Sequence, residues 1–279
     1  MTALETALRA ELATMREAGT MKRIPVLRSP QGPLVEIEGR GEVLCLCSND
    51  YLGLANHPDV VRAGADGLAR YGAGTASVRF ICGKFEPQIE LERDLAAFLG
   101  TEAALSFVSC WTANAALLDA LCDDRTAVFS DRLNHASIID GIRLARPARK
   151  AVYEHADPDD LARAIAAAPD VERRLIVTDG VFSMEGDLAP LDRDLDQPVE
   201  HDATLVVDDS HGLGVVGATG RGTVEHFGLL GDPRLIYTGT LGKALGGAAG
   251  GFVAGSAPLC ELLEQLAPVS YTHLTLPTN

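Results

Sequence analysis

From about residue 60 the chain alternates short, nearly continuous apolar runs with alanine-rich segments of helical period. "AALSFVSC" leads into "TANAALLDALC", "TAVFSD" into "HASIIDGIRLA", and "KAVYEH" into "DPDDLARAIAAA". The first-turn aspartates of that last segment suit the positive end of a helix. "RLIVTDGVF", "ATLVVDDSH" and "RLIYTG" read as central strands of a parallel sheet, buried on both faces and so apolar throughout. Repeated strand–helix units predict an α/β fold, a mostly parallel sheet with helices on both sides. Upstream, Leu4, Leu8, Leu12 and Met15 recur at helical spacing, and the helix should stop near Gly19. In "GPLVEIEGRGEVLCLCSNDYLGL", Val35, Ile37 and Val43 alternate about a Gly-Arg-Gly turn, which predicts a hairpin. That alternation would set Cys45 and Cys47 on one face.

Three regions follow: an N-terminal helix and hairpin segment over 1–55, a large domain over 56–268, and a tail over 269–279. The tail, with little charge and no helical continuation, reads as a non-native end to an incomplete large domain.

Composition narrows the class. Aromatics are only 5% of the 279 residues, so aliphatic side chains and alanine must fill the core. With 24 Lys plus Arg against 39 Asp plus Glu, the net charge is -15, which argues against broad nucleic-acid or anionic-membrane binding. The six cysteines form no CxxC pair and no zinc spacing, so reduced thiols and no metal centre are expected. Neither a secretory leader nor an 18-residue apolar run is visible, and a cytoplasmic location is the expectation.

Ligands of open parallel sheets collect beyond the carboxyl ends of strands. Polar clusters stand at five such ends: Ser109–Thr112, Asp131–His135, Asp179–Ser183, Asp208–His211 and Thr238–Lys243. Lys243 lies among Gly242, Gly246 and Gly247, but the segment lacks the GxxxxGK[ST] spacing of a P-loop. A buried lysine beside a cofactor can become a neutral amine that forms an imine; the plainer alternative is a pocket-rim lysine. Asp208 closes the apolar "TLVVD", where a buried carboxylate requires a partner: a protonated heterocyclic nitrogen, or the amides of a helix start. His211 could bond a phenolic oxygen on the same ring, or serve as an interior hydrogen-bonding histidine. His135 could stack on an aromatic cofactor or cap a helix. In "SCWTAN" the amides of Cys110 and Trp111 would open a helix, a natural phosphate site to which Thr240 adds a hydroxyl. Amine, carboxylate and phosphate cradle together describe pyridoxal phosphate (PLP).

At this point "SNDYLGLANHPDV", "GTASVRFICG", "LNHASIIDGIRL", "TDGVFSMEGDLAPL", "VDDSHGLGVVGATGRG" and "TGTLGKALGGAAGG" carry a resemblance to the α-oxoamine synthases. These are PLP-dependent transferases of the aspartate aminotransferase-like fold, fold type I. Within the family the chain is most similar to the glycine C-acetyltransferase (2-amino-3-ketobutyrate coenzyme A ligase) branch. The resemblance implies that Lys243 forms the imine with PLP and shuttles the substrate α-proton. It further implies Asp208 at the pyridine nitrogen, His211 at the ring hydroxyl oxygen, His135 over the ring, and Cys110, Trp111 and Thr240 at the phosphate. Ser183 would sit near the ring oxygen, Asn49 near the amino-acid carboxylate, and the active site between two subunits of a homodimer. The implied reaction interconverts glycine plus acetyl-CoA with 2-amino-3-oxobutyrate plus CoA, in threonine degradation. An 8-amino-7-oxononanoate synthase-like activity and a non-catalytic PLP-binding scaffold are the alternatives.

The chain departs from the family in three places. Lys84 and Gln88 replace a threonine and a histidine, placing a charge near a substrate-side loop and removing a titratable group. Pro198 should break a helix the family carries there, at about 3 kcal/mol. A smaller C-terminal domain, which in the family holds an arginine for the substrate carboxylate, does not follow.

Overall fold

A computed structural model describes residues 1–247 and 249–267, with the backbone alone for 197–201. The tail read at 269–279 lies outside the described residues. The chain divides into a unit of residues 1–48 and a larger unit from Asn49 onward.

The first unit contains α1 (Ala3–Glu17) and a hairpin of β1 (Leu34–Ile37) and β2 (Gly41–Leu44). Thr2 caps α1 by accepting the Glu5 amide at 3.1 Å. The hairpin pairs Leu34 with Leu44 and Ile37 with Gly41. Cys45 and Cys47 fall beyond the named strand, where the alternation had extended it, although the Cys45 amide still donates to the Pro33 carbonyl at 2.9 Å. The pairing stops there because Pro33, opposite Cys45, has no N–H to return that bond.

The larger unit begins with α2 (Pro58–Tyr71), α3 (Arg79–Cys82) and α4 (Glu86–Leu99). Then β3 (Ala103–Phe107), α5 (Cys110–Leu121), β4 (Thr126–Asp131), α6 (Ala136–Ala145), β5 (Arg149–Tyr153), α7 (Pro158–Ala166) and β6 (Arg173–Asp179) follow. The described chain closes with α8 (Leu191–His201), β7 (Ala203–Asp208), α9 (Thr223–His226), β8 (Leu235–Thr240), β9 (Gly251–Gly255) and α10 (Ala257–Leu266). Seven strands form one sheet in the order β3-β9-β8-β7-β6-β4-β5. The pairs β5–β4, β4–β6, β6–β7 and β7–β8 are parallel, as the apolar runs predicted. β9, which the pattern did not single out, enters antiparallel to both β8 and β3.

Alternating strand residues divide the core in two. Phe129, Ile176, Leu205, Val207, Tyr237 and Phe252 pack with Leu161 and Ile165 of α7 and Leu191 and Leu195 of α8. Their neighbours Val128, Val177, Val206, Ile236 and Val253 face Leu117 of α5, Ile138 of α6 and Leu263 of α10. Each fully buried aliphatic side chain contributes about 1.5–3 kcal/mol. Pro198 does not break α8, which runs on to His201. Proline is costly because it removes one helical hydrogen bond, and only three residues follow it here. The first turns are anchored independently by buried Leu191 and Leu195.

The two departures near residue 84 have structural uses. Gln88 caps α4, its Oε1 accepting the Phe85 amide at 3.0 Å. Lys84 turns inward: its Nζ meets Glu92 Oε2 at 3.2 Å and also bonds Glu264. The carboxylate it meets is nearly inaccessible and already holds Arg79.

Candidate active site

β7 and β8 are adjacent and parallel, so their carboxyl ends deliver Asp208 and the Thr240–Lys243 turn to one place. A cavity of about 230 Å³ opens there, lined among others by Cys110, Trp111, His135, Ser183, Asp208, His211, Thr240 and Lys243. Eight of the nine residues expected at the site thus line one cavity. The ninth, Asn49, is exposed and connects to it through a relay. Lys243 Nζ lies 2.7 Å from His211 Nε2, and His211 Nδ1 lies 2.7 Å from the Tyr51 hydroxyl. That hydroxyl donates to Asn49 Oδ1 at 3.3 Å.

Burial lowers the pKa of Lys243, and burial followed by the nearby Lys243 charge pulls His211 down to about 4. His211 is therefore neutral at pH 7. It accepts the lysine N–H at Nε2 and donates from Nδ1 to Tyr51, which passes its own proton toward Asn49. Tyr51 was not among the residues expected at the site; the only signal for it in the sequence is an aromatic within "SNDYLGL".

Asp208 is 4% exposed. Its Oδ1 accepts the Ser210 amide at 3.1 Å, while Oδ2 accepts Asn114 Nδ2 at 2.7 Å and the Cys110 thiol at 3.5 Å. Asp179 stands beside it in register on β6 and accepts the His135 amide at 3.0 Å. Burial, then the Asp208 charge, raises Asp179 to about 8, so it is protonated at neutral pH. Burial likewise pushes the Cys110 thiol well up, so that it acts as a weak donor. The second aspartate of "DDSH" faces away from this chemistry. Asp209 accepts the Thr223 amide at 2.7 Å and does not line the cavity.

Ser109 starts α5, accepting the Thr112 amide on its hydroxyl at 3.1 Å and the Ala113 amide on its carbonyl at 3.0 Å. Helix geometry leaves the preceding amides, of Cys110 and Trp111, as donors at the cavity. This end is pressed against β9. A Cβ on Gly251 would stand 2.3 Å from Cys110 N and 2.5 Å from Ser109 C, both backbone atoms. Gly251→Ala should therefore cost about 1–3 kcal/mol and lower the thermal midpoint, checked by calorimetry. A midpoint unchanged from wild type would contradict this packing.

Asp131, expected among the cavity groups, is occupied elsewhere. Its Oδ2 accepts the Ala156 amide at 2.8 Å and its Oδ1 faces His155 Nδ1 at 3.1 Å. The other ring nitrogen of His155 lies 2.9 Å from Asp187 Oδ2, on the loop that carries Ser183. Burial opposes protonation of His155, but the Asp187 and Asp131 carboxylates prevail and raise its pKa. A raised folded-state pKa stabilises fully below the unfolded value of about 6.5, and the contribution is lost as pH rises through the folded value. Melts from acid to alkaline pH should show the wild-type advantage over His155→Gln shrinking. A gap constant with pH would refute the ion pair.

A larger cleft, about 620 Å³, is lined by Thr75–Arg79, Gly83, Gln88, Ser106–Val108, Ala249 and Gly250. Arg79, the one cation among these lining residues, is engaged by Glu92 and Ser106.

The residues around the smaller cavity suit PLP. A carboxylate for a pyridinium nitrogen, an amine for an aldehyde and free helix amides for a phosphate converge, and the glycine at 251 permits the close approach of the helix end. The Aminotransferase class I and II family model matches residues 41–278. The 2-amino-3-ketobutyrate coenzyme A ligase of Bos taurus is 46% identical over 93% of this chain and 62% of its own length. The 8-amino-7-oxononanoate synthase 1 of Bacillus subtilis is 48% identical over 92% of this chain and 64% of its own. Among solved structures, serine palmitoyltransferase from S. paucimobilis with a bound PLP–myriocin aldimine superposes with a TM-score of 0.87. It is 30% identical, covering 97% of this chain and 68% of that one. The chain belongs to the class I and II aminotransferase family of fold type I, within its α-oxoamine synthase branch. It spans less than two thirds of the length of the bovine and Bacillus relatives.

Proposed function

We propose that the chain is the cofactor-binding part of an α-oxoamine synthase that joins the α-carbon of a small amino acid to the acyl group of an acyl-CoA. The observation that carries this reading is the convergence of Lys243, Asp208, His211 and His135 with the start of α5 around one cavity. PLP, when bound, supplies an electron sink for the carbanion at the amino-acid α-carbon. Asp208 would accept the N–H of the cofactor ring, and the amides of Cys110 and Trp111 with the Thr240 hydroxyl would hold the phosphate. Lys243, whose burial favours the neutral amine, anchors the cofactor and takes the substrate α-proton as general base. His211 orients the amine through Nε2. His135, which lines the same cavity, would stack on the cofactor and polarise the thioester carbonyl, and Ser183 would bond the cofactor's ring oxygen. A homodimer with shared sites is part of the proposal.

Glycine and acetyl-CoA, giving 2-amino-3-oxobutyrate and CoA, are supported by the run "ASVRFICG". A second reading has the better support, from a relative named 8-amino-7-oxononanoate synthase at 48% identity against 46% for the ligase. Such a product disconnects into alanine, less its carboxyl as carbon dioxide, and a seven-carbon ω-carboxyacyl thioester. Release of CoA, followed with a thiol reagent after PLP addition, separates the two. Faster release with glycine and acetyl-CoA supports the first, and with alanine and the ω-carboxyacyl donor the second. Release with neither pair, while PLP is bound, supports a non-catalytic scaffold.

A further inference from the structure

We propose that Asn114 is a positioning residue whose single amide group couples Asp208 to His135. It rests on the reading of this cavity as a PLP site and adds a residue to it. Asn114 is 2% exposed, on the second turn of α5, and does not line the cavity. One Nδ2 hydrogen goes to Asp208 Oδ2 at 2.7 Å and the other to Ser137 Oγ at 2.9 Å. Ser137 is 1% exposed, and its Oγ stands 2.8 Å from His135 Nδ1.

The direction of this chain follows from the donors and acceptors available. A carboxylate only accepts, so the Asn114 amide nitrogen must face Asp208. Both of its hydrogens are then donated, and the Ser137 oxygen becomes an acceptor from Asn114. The Ser137 hydroxyl hydrogen is free to point at His135 Nδ1, which also receives the Ser137 amide at 3.2 Å. A nitrogen accepting from both carries no proton, so the neutral ring carries its proton on Nε2. One buried amide thus sets the plane of the carboxylate and, through Ser137, the tautomer and tilt of the imidazole. These groups come from β7, α5 and α6, and no other side chain of the described residues bonds both Asp208 and Ser137.

The test uses Trp111, the single tryptophan, which lines the cavity and reports bound PLP by quenching of its fluorescence. PLP is titrated into wild type, Asn114→Leu, Ser137→Ala and the double variant. Asn114→Leu should weaken PLP about tenfold, the scale of one hydrogen bond to a charged group, and Ser137→Ala about threefold. The double variant should be no weaker than Asn114→Leu, since both act through one chain. A change below about twofold for Asn114→Leu, or losses that multiply in the double variant, would overturn the coupling.

A second readout needs no cofactor. Nitrogen-15 spectra of the histidines, assigned with His135→Gln, should show His135 as the Nε2–H tautomer in wild type. Asn114→Leu and Ser137→Ala should both raise the Nδ1–H fraction. An unchanged tautomer in both variants, with native circular dichroism, refutes the coupling. Wild-type chain that binds no PLP defeats the functional reading alone, and the tautomer then decides the role of Asn114.

Discussion

Lys243→Ala is expected to abolish the covalent attachment of PLP and to reduce CoA release by at least about a thousandfold. Two losses combine in that figure. The amine that anchors the cofactor disappears, and so does the general base, which by itself contributes about 10²–10⁴-fold. Lys243→Arg should fare no better, because a guanidinium stays charged and cannot accept the α-proton. The check is direct: borohydride followed by mass spectrometry should add one reduced PLP to the wild-type chain and none to either variant. A visible band near roughly 420 nm should behave alike. Covalent PLP in Lys243→Ala would place the chemistry on another residue. The wild-type link should also form at lower pH than with an ordinary lysine, since burial lowers the pKa of this amine.

Glu92→Ala should produce the largest loss of stability, about 3–5 kcal/mol, without touching the cavity. Glu92 is 7% exposed and accepts at 2.8 Å from Arg79 Nη1, at 2.9 Å from the Ser106 amide and at 2.8 Å from the Ser106 hydroxyl. Lys84 approaches the second oxygen. Burial alone would raise the pKa of Glu92, but the Ser106 amide and the Arg79 and Lys84 charges more than offset it and hold the carboxyl below its usual range. Removing the anion leaves Arg79, itself largely enclosed, as a buried cation facing Lys84. Because the folded pKa is depressed, the stabilisation is present above the unfolded value and lost as pH falls through the folded one. Urea unfolding at pH 7 measures the loss. A difference under about 1 kcal/mol would mean that the network is solvated.

The lysine among glycines and the carboxylate closing "TLVVD" were legible in the sequence because their surroundings are local: a glycine turn and an apolar strand. The relay from Lys243 to Asn49 was not, because its His211–Tyr51 link joins residues 160 apart. Asn114 was equally hidden, 94 residues from the aspartate it holds. Asp131 carried the same signal as Asp208, a carboxylate ending an apolar strand, yet it serves His155 and the Ala156 amide.

By itself the sequence determined the strand–helix alternation, the chemical inventory at the strand ends and the family to which both point. Those follow from short-range patterns: periodicity, glycine placement and the cost of burying an isolated charge. The tertiary structure decided that β9 enters antiparallel beside β8, which sets Gly251 against the start of α5. It also decided which aspartate of "DDSH" faces the cavity and which the Thr223 amide. Alternation along a strand says that neighbours point apart; only the elements packed on each side determine which direction is the site.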